Sequence, residues 1–213
     1  MAKKIYVWSL TVRLTHWVNV VTVTILSLTG YAIGNPALFA GMREFLPMAT
    51  VRFIHILSAY MLTASVFLRF YYMSTEDGYA RPGELLPLKK ERWRSFRDAL
   101  FFYMFLRKSP PSYPGHNALA GVSYFFIFIA FATEIVTGFA LHSQSHHGVL
   151  WWVLGGWMLN FTDAMSIRLI HHLLMWFLWV FVVIHLYISV HNDCFEKNGL
   201  ISSIVNGYKI VDE

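Results

Sequence analysis

Four long apolar runs constrain this chain more than any other feature. Trp17 to Gly34 carries no charged residue and closes at Asn35-Pro36, and a second run lies between Arg52 and Arg69. A third extends from about Ala118 to Leu141, and a fourth lies between Arg168 and Asp193. A helix needs about 20 apolar residues to cross a bilayer core, and in lipid a crossing segment must satisfy its own backbone. The runs predict an all-α membrane protein, a four-transmembrane-helix bundle with spans at about 13–34, 52–73, 118–141 and 168–191. With 213 residues in all, little remains for a soluble domain, so 1–213 reads as one integral membrane domain. Only 14% of the residues are charged, against roughly 25% in soluble proteins. The first run is too long for a cleavable signal peptide, and no small-x-small site follows it.

Charge sets the orientation. The connection over about 74–114 is basic, with Arg81, Lys89, Lys90, Arg92, Arg94, Arg97, Arg107 and Lys108, whereas His142 to Ile167 contains no Lys or Arg. The positive-inside rule then puts the basic loop and both termini in the cytoplasm. The net charge of +5 is accounted for by this asymmetry and calls for no nucleic acid. Within the basic loop, Trp93 to Leu106 reads either as a helix lying in the interface, with arginines towards lipid phosphates, or as a plain tether. Outside, Gly148 to Trp152 forms an aromatic belt or a docking surface.

Ten histidines in so apolar a chain require explanation, and a lone Cys194 excludes an internal disulfide, a four-thiolate iron–sulfur site and a Cys-x-x-Cys-His haem attachment. In the fourth run, His171 and His185 are 14 residues apart. Fourteen steps of 100° return to within about 40° of the starting direction while rising about 21 Å, so both side chains share one face at two depths. His172 to His185 ends about 140° away, which leaves His172 to packing. By depth, His16 at the start of the first span matches His185, and His55 at the start of the second matches His171. Two interhelical histidine pairs point to two bis-histidine haems b, since low-spin electron-transfer haem fills both axial positions with nitrogen ligands.

Arg13, Arg52 and Arg168 each lie three residues, one helical turn, before His16, His55 and His171. Each either binds a haem propionate through a charge-assisted hydrogen bond or anchors the membrane edge. Arg69, 14 residues after His55, falls at the depth of the cytoplasmic pair. Glu134 is the only acid within a span; pairing with an arginine or amide and a proton-relay role both stand for it. Thr29-Gly30-Tyr31-Ala32 echoes Thr137-Gly138-Phe139-Ala140, and glycine there permits close approach of a helix or a cofactor. His142, His146 and His147 read as solvated or partner-facing. A histidine-lined metal transporter is the competing class, disfavoured because ion paths carry intramembrane carboxylates and broken helices.

These residues, with Arg13-x-x-His16-Trp17, Thr29-Gly30-Tyr31-x-Ile33-Gly34-x-Pro36, Arg52-x-x-His55, Gly115-His116-Asn117 and Ser203 to Tyr208, resemble the cytochrome b subunit of membrane-bound nickel–iron hydrogenases over nearly the whole chain. The haem subunit of quinone-reducing formate dehydrogenase is similar, so a cytochrome b of another quinone-linked dehydrogenase is the alternative within this class. The resemblance implies an outer haem on His55 and His171 and a cytoplasmic haem on His16 and His185. It further implies a multi-pass protein of the bacterial cytoplasmic (inner) membrane that anchors a small iron–sulfur subunit and a large nickel–iron subunit on the outer, periplasmic side. Electrons from hydrogen oxidation would pass inward to menaquinone or ubiquinone, and this chain itself carries no catalytic hydrogen-activating site. The same resemblance points to His116 and Asn117 for the quinone, whose carbonyls both residues can hydrogen-bond; a helix-capping role is the other reading of that pair.

Overall fold

In the computed structural model, which describes residues 2–42, 44–75, 89–104, 106–107 and 118–212, every one of the four apolar runs is a helix. Helix α1 covers Leu10–Gly34, α2 Met48–Thr75, α3 Lys90–Tyr103, α4 Ala118–Ser143, α5 Val149–Leu154, α6 Ala164–Glu196 and α7 Leu200–Asn206. Of these, α1, α2, α4 and α6 are long and apolar enough to cross a membrane. Several of their threonines bond back to their own helix. Thr22, Thr24 and Thr63 donate to the carbonyl four residues earlier at 2.8, 2.8 and 2.7 Å, which satisfies a donor that lipid would leave unpaired. Along α6, Leu173, Phe177, Val180, Val183 and Leu186 are exposed, an apolar surface of the kind a bilayer covers.

Helix ends follow from local chemistry. At the end of α1, the backbone N–H and side-chain amide of Asn35 both donate to the Tyr31 carbonyl, at 3.0 and 3.1 Å, and Pro36 cannot continue the helix. Helix α6 opens on Asp163. Its Oδ1 accepts from the Met165 and Ser166 N–H groups at 2.9 and 3.0 Å, and its Oδ2 accepts from the Ser166 hydroxyl at 2.6 Å. These bonds satisfy N–H groups that the first turn leaves without intrahelical acceptors.

The chain divides into two compact units. One comprises Met1–His16, Leu68–Ile129 and Val182–Glu213; the other comprises Trp17–Phe67 and Ala130–Phe181. In the first, strand β1 (Ala2–Tyr6) pairs antiparallel with β2 (Tyr208–Asp212), from Ala2 opposite Asp212 to Tyr6 opposite Tyr208. This ribbon of the two chain ends has no counterpart in the sequence reading. The Gly207 carbonyl accepts from the Val7 and Trp8 N–H groups at 2.8 and 3.2 Å, the Trp8 indole donates to the Ser203 hydroxyl at 3.1 Å, and Val7, Trp8 and Val12 are buried with Ile5 and Ile204 around them. Helix α3 forms within the basic connection. Its Phe102 ring lies 5.9 Å from that of Phe195, and Asn192 donates to the Tyr103 hydroxyl at 2.8 Å. Arg92 is buried, while Arg94 and Arg97 are exposed, so the arginines of this helix do not all face outward as an interfacial reading expects. In the second unit, the Tyr60 ring lies 5.7 Å from Phe139 and 6.1 Å from Trp151.

The Asp163 cap gives a pH-dependent prediction. The bond from the Ser166 hydroxyl, then those from the Ser166 and Met165 N–H groups, hold its carboxyl below the usual carboxylate range. A depressed folded pKa contributes stability that is present above the unfolded value and lost as pH falls through the folded one. Asp163→Ala is therefore expected to lower the thermal midpoint of the detergent-purified protein near pH 7. That deficit should shrink as the pH is taken below the carboxylate range, which a melting series across pH checks.

Candidate functional site

The second unit contains a cleft of about 880 Å³, counting the space at its open mouth, with His55 of α2, Glu134 and His142 of α4, and His171 and His172 of α6 in a largely apolar wall. Two of these histidines are held in the same way. The Thr29 hydroxyl points its proton at the carbonyls of Ile25 and Leu26, at 2.6 and 3.2 Å, and its oxygen lies 2.9 Å from His55 Nδ1. Thr137 directs its proton at the carbonyls of Thr133 and Glu134, at 2.7 and 3.1 Å, and its oxygen lies 2.9 Å from His171 Nδ1. With that proton on a helix carbonyl, each hydroxyl oxygen accepts from the imidazole. In this arrangement the histidine proton sits on Nδ1 and Nε2 keeps a bare lone pair. An imidazole ligates a metal in this state, with its other nitrogen fixed by a neighbouring acceptor.

The adjacent glycines give these rings room. A Cβ on Gly30 would lie 3.3 Å from His55 Cε1, and one on Gly138 would lie 3.3 Å from His171 Cε1. The Thr-Gly echo between α1 and α4 is thus the same histidine support built twice, each on the helix facing the histidine. Glu134 adds a difference, with Oε2 2.5 Å from His171 Nδ1. His172 lines the same cleft, with its Nδ1 donating to the Arg168 carbonyl at 3.2 Å and its ring against Gly34.

In the first unit, the His16 and His185 rings lie with centroids 6.4 Å apart and planes tilted by 50°. Tyr124 lies against the His185 ring at 6.0 Å. Arg69 is buried in this unit, and Arg13 donates through Nη1 to the Val205 carbonyl, tying the start of α1 to α7. Arg52 and Arg168 are exposed at the starts of α2 and α6. His116 and Asn117 lie outside the described residues. The His142 and His146 rings stack at 4.1 Å beside Trp151, with His142 on α4 itself and not in the outer loop. Among the described residues, no three of His, Cys, Asp and Glu gather as an ion site.

A model of the family described as prokaryotic cytochrome b561 matches residues 7–207. The chain belongs to that family. As a cytochrome b561 with four helices suited to crossing a bilayer, it is an integral membrane protein, and the family implies b-type haem. The chain is 34% identical to the "Probable Ni/Fe-hydrogenase B-type cytochrome subunit" of Azotobacter vinelandii, over 97% of this chain and 88% of the relative. It is 32% identical to the protein of that name in Rhizobium leguminosarum bv. viciae, over 98% and 90%. It is 30% identical to the "Probable Ni/Fe-hydrogenase 1 B-type cytochrome subunit" of Escherichia coli K12, over 96% and 90%. Haem fits the residues present: His55 and His171, each with Nδ1 beside a threonine hydroxyl, in a largely apolar cleft, and the His16 and His185 rings close to one another.

Thr29, Thr137 and the contact of Glu134 with His171 are the site features that sequence reasoning missed. The signals were present, since the threonines head the repeated motif and Glu134 lies one turn before Thr137 on the same helix face. Thr29→Val and Thr137→Val keep side-chain volume and remove the acceptor. Loss of such an outer partner typically weakens metal affinity by roughly 10–100-fold, so each variant is expected to hold haem more weakly. Titration of apoprotein with haemin checks this, with Thr24→Val, whose hydroxyl touches no histidine, as the control.

Proposed function

We propose that this cytochrome holds two haems b, one on His55 and His171 and one on His16 and His185, and passes electrons between a nickel–iron hydrogenase and membrane quinone. The observation that carries the reading is the occurrence of two histidine pairs, one in each compact unit. Bound haem iron supplies one-electron chemistry between its ferric and ferrous states. The chain's own contribution is to present Nε2 atoms, fix their rings through Thr29 and Thr137, and keep the surroundings apolar. Full axial ligation by histidine leaves no open position on iron, which favours electron transfer over oxygen binding.

The names of the relatives support a nickel–iron hydrogenase, with its small iron–sulfur and large nickel–iron subunits, as the partner. Pairing of β1 with β2 brings the two chain ends together, which an even number of crossings permits, and the basic connection favours the cytoplasm for that side. The partner would then dock on the outer face of the bacterial cytoplasmic membrane, beside the pair His55 and His171. Arg52 and Arg168 are suited to the propionates of that haem. Arg13 and Arg69 serve the inner one, with Arg13 bridging from its contact with Val205. Quinone, menaquinone or ubiquinone, would be reduced near His185, with His116 and Asn117 as its hydrogen-bonding residues.

Single substitutions separate the two sites. His171→Ala is expected to reduce haem content from about two to about one per chain, with the haem on His16 and His185 spectrally unchanged, and to abolish hydrogen-dependent quinone reduction in membranes containing the partner subunits. His16→Ala should remove the other haem and spare the first. Full haem content in either variant, or hydrogen-dependent quinone reduction by His171→Ala, would contradict the assignment.

A further inference from the structure

Glu134 is the only acidic residue in α1, α2 or α4. Its side chain is 11% exposed, and Oε2 lies 2.5 Å from His171 Nδ1. A carboxylate in lipid-covered apolar surroundings is unfavourable without a specific partner, and here that partner is an axial-ligand candidate. The Thr137 hydroxyl has given its proton to its own helix, so the Nδ1 proton of His171 is shared between the Thr137 oxygen and the Glu134 carboxylate.

The molecule contains its own comparison. Superimposing Thr29-Gly30 on Thr137-Gly138 sets Leu26 opposite Glu134, so His55 has the threonine and lacks the acid. The two halves of the outer site are built alike except for one carboxylate, placed on the nitrogen that controls ligand strength.

We propose that Glu134 is a positioning residue that lowers the reduction potential of the haem held by His55 and His171, by accepting the Nδ1 hydrogen bond of His171. The inference rests on the reading of His171 as an axial ligand. A carboxylate acceptor draws the proton away from the ring, makes Nε2 the stronger donor and favours the more positive ferric state. Electrons entering at this haem are then biased onward to the one on His16 and His185.

The test is a redox titration of the purified, haem-loaded cytochrome and of Glu134→Gln, which keeps an acceptor and removes the charge. Glu134→Leu, which copies the Leu26 half, is measured alongside. One of the two midpoint potentials is expected to rise by at least a tenfold change in the reduction equilibrium, about 59 mV for a one-electron couple. The other potential and the haem content should stay unchanged. Unaltered potentials at full haem content would overturn the proposal. The wild-type protein supplies a reading that needs no variant: in the ferric near-infrared spectrum, one low-spin haem should show its charge-transfer band at higher energy than the other. Two coincident bands would overturn it equally. Retention of both haems by His171→Ala would instead defeat the ligand assignment beneath it, so the two failures are distinguishable.

Discussion

The hydrogen bond from a histidine Nδ1 to a threonine on the facing helix is the interaction on which the histidine-lined cleft depends. An imidazole in an apolar membrane helix has two nitrogens and no water to satisfy either. When a hydroxyl that has already given its proton to its own helix stands opposite, the tautomer is decided and Nε2 is left to the cleft. This happens twice, at Thr29 with His55 and at Thr137 with His171, each time beside a glycine that lets the ring approach the helix. The same motif therefore sets ring orientation, protonation and clearance together.

Ligand geometry and membrane geometry are solved by the same helices. Each long helix satisfies its backbone internally, which leaves its few polar side chains as the only means of holding a polar group at depth. Helices α1 and α6 each contribute residues to both compact units, as their ranges require, and each unit contains one histidine pair. The paired terminal strands and the α7 cap close the unit that contains His16 and His185, with Arg13 reaching Val205 and Trp8 reaching Ser203. The residues flanking that histidine pair are thus fixed by contacts between the two terminal segments.

The four helices were legible because apolar length is a strong signal, and their ends shifted by only a few residues to where Asp163 and Asn35 cap them. His171 was separable from His172 because 100° per residue is a rigid rule, and the structure sets His171 against Thr137 and His172 against the Arg168 carbonyl. The terminal ribbon was not legible: five-residue strands at opposite ends of a chain carry no local pattern that announces their pairing. The threonines were visible as a repeat, but their purpose depends on which helix faces which, and one sequence does not contain that information. Glu134 stood out as an intramembrane acid, and its partner emerged only once α4 and α6 were placed side by side.

Whether the four histidines form two separate axial-ligand pairs is read from haem stoichiometry with the reduced-minus-oxidised spectrum of the detergent-purified chain from haem-replete cells. Two low-spin, non-covalently bound b haems per chain are expected. A folded chain with a single haem, or with none, would contradict that pairing and return the histidines of at least one pair to packing.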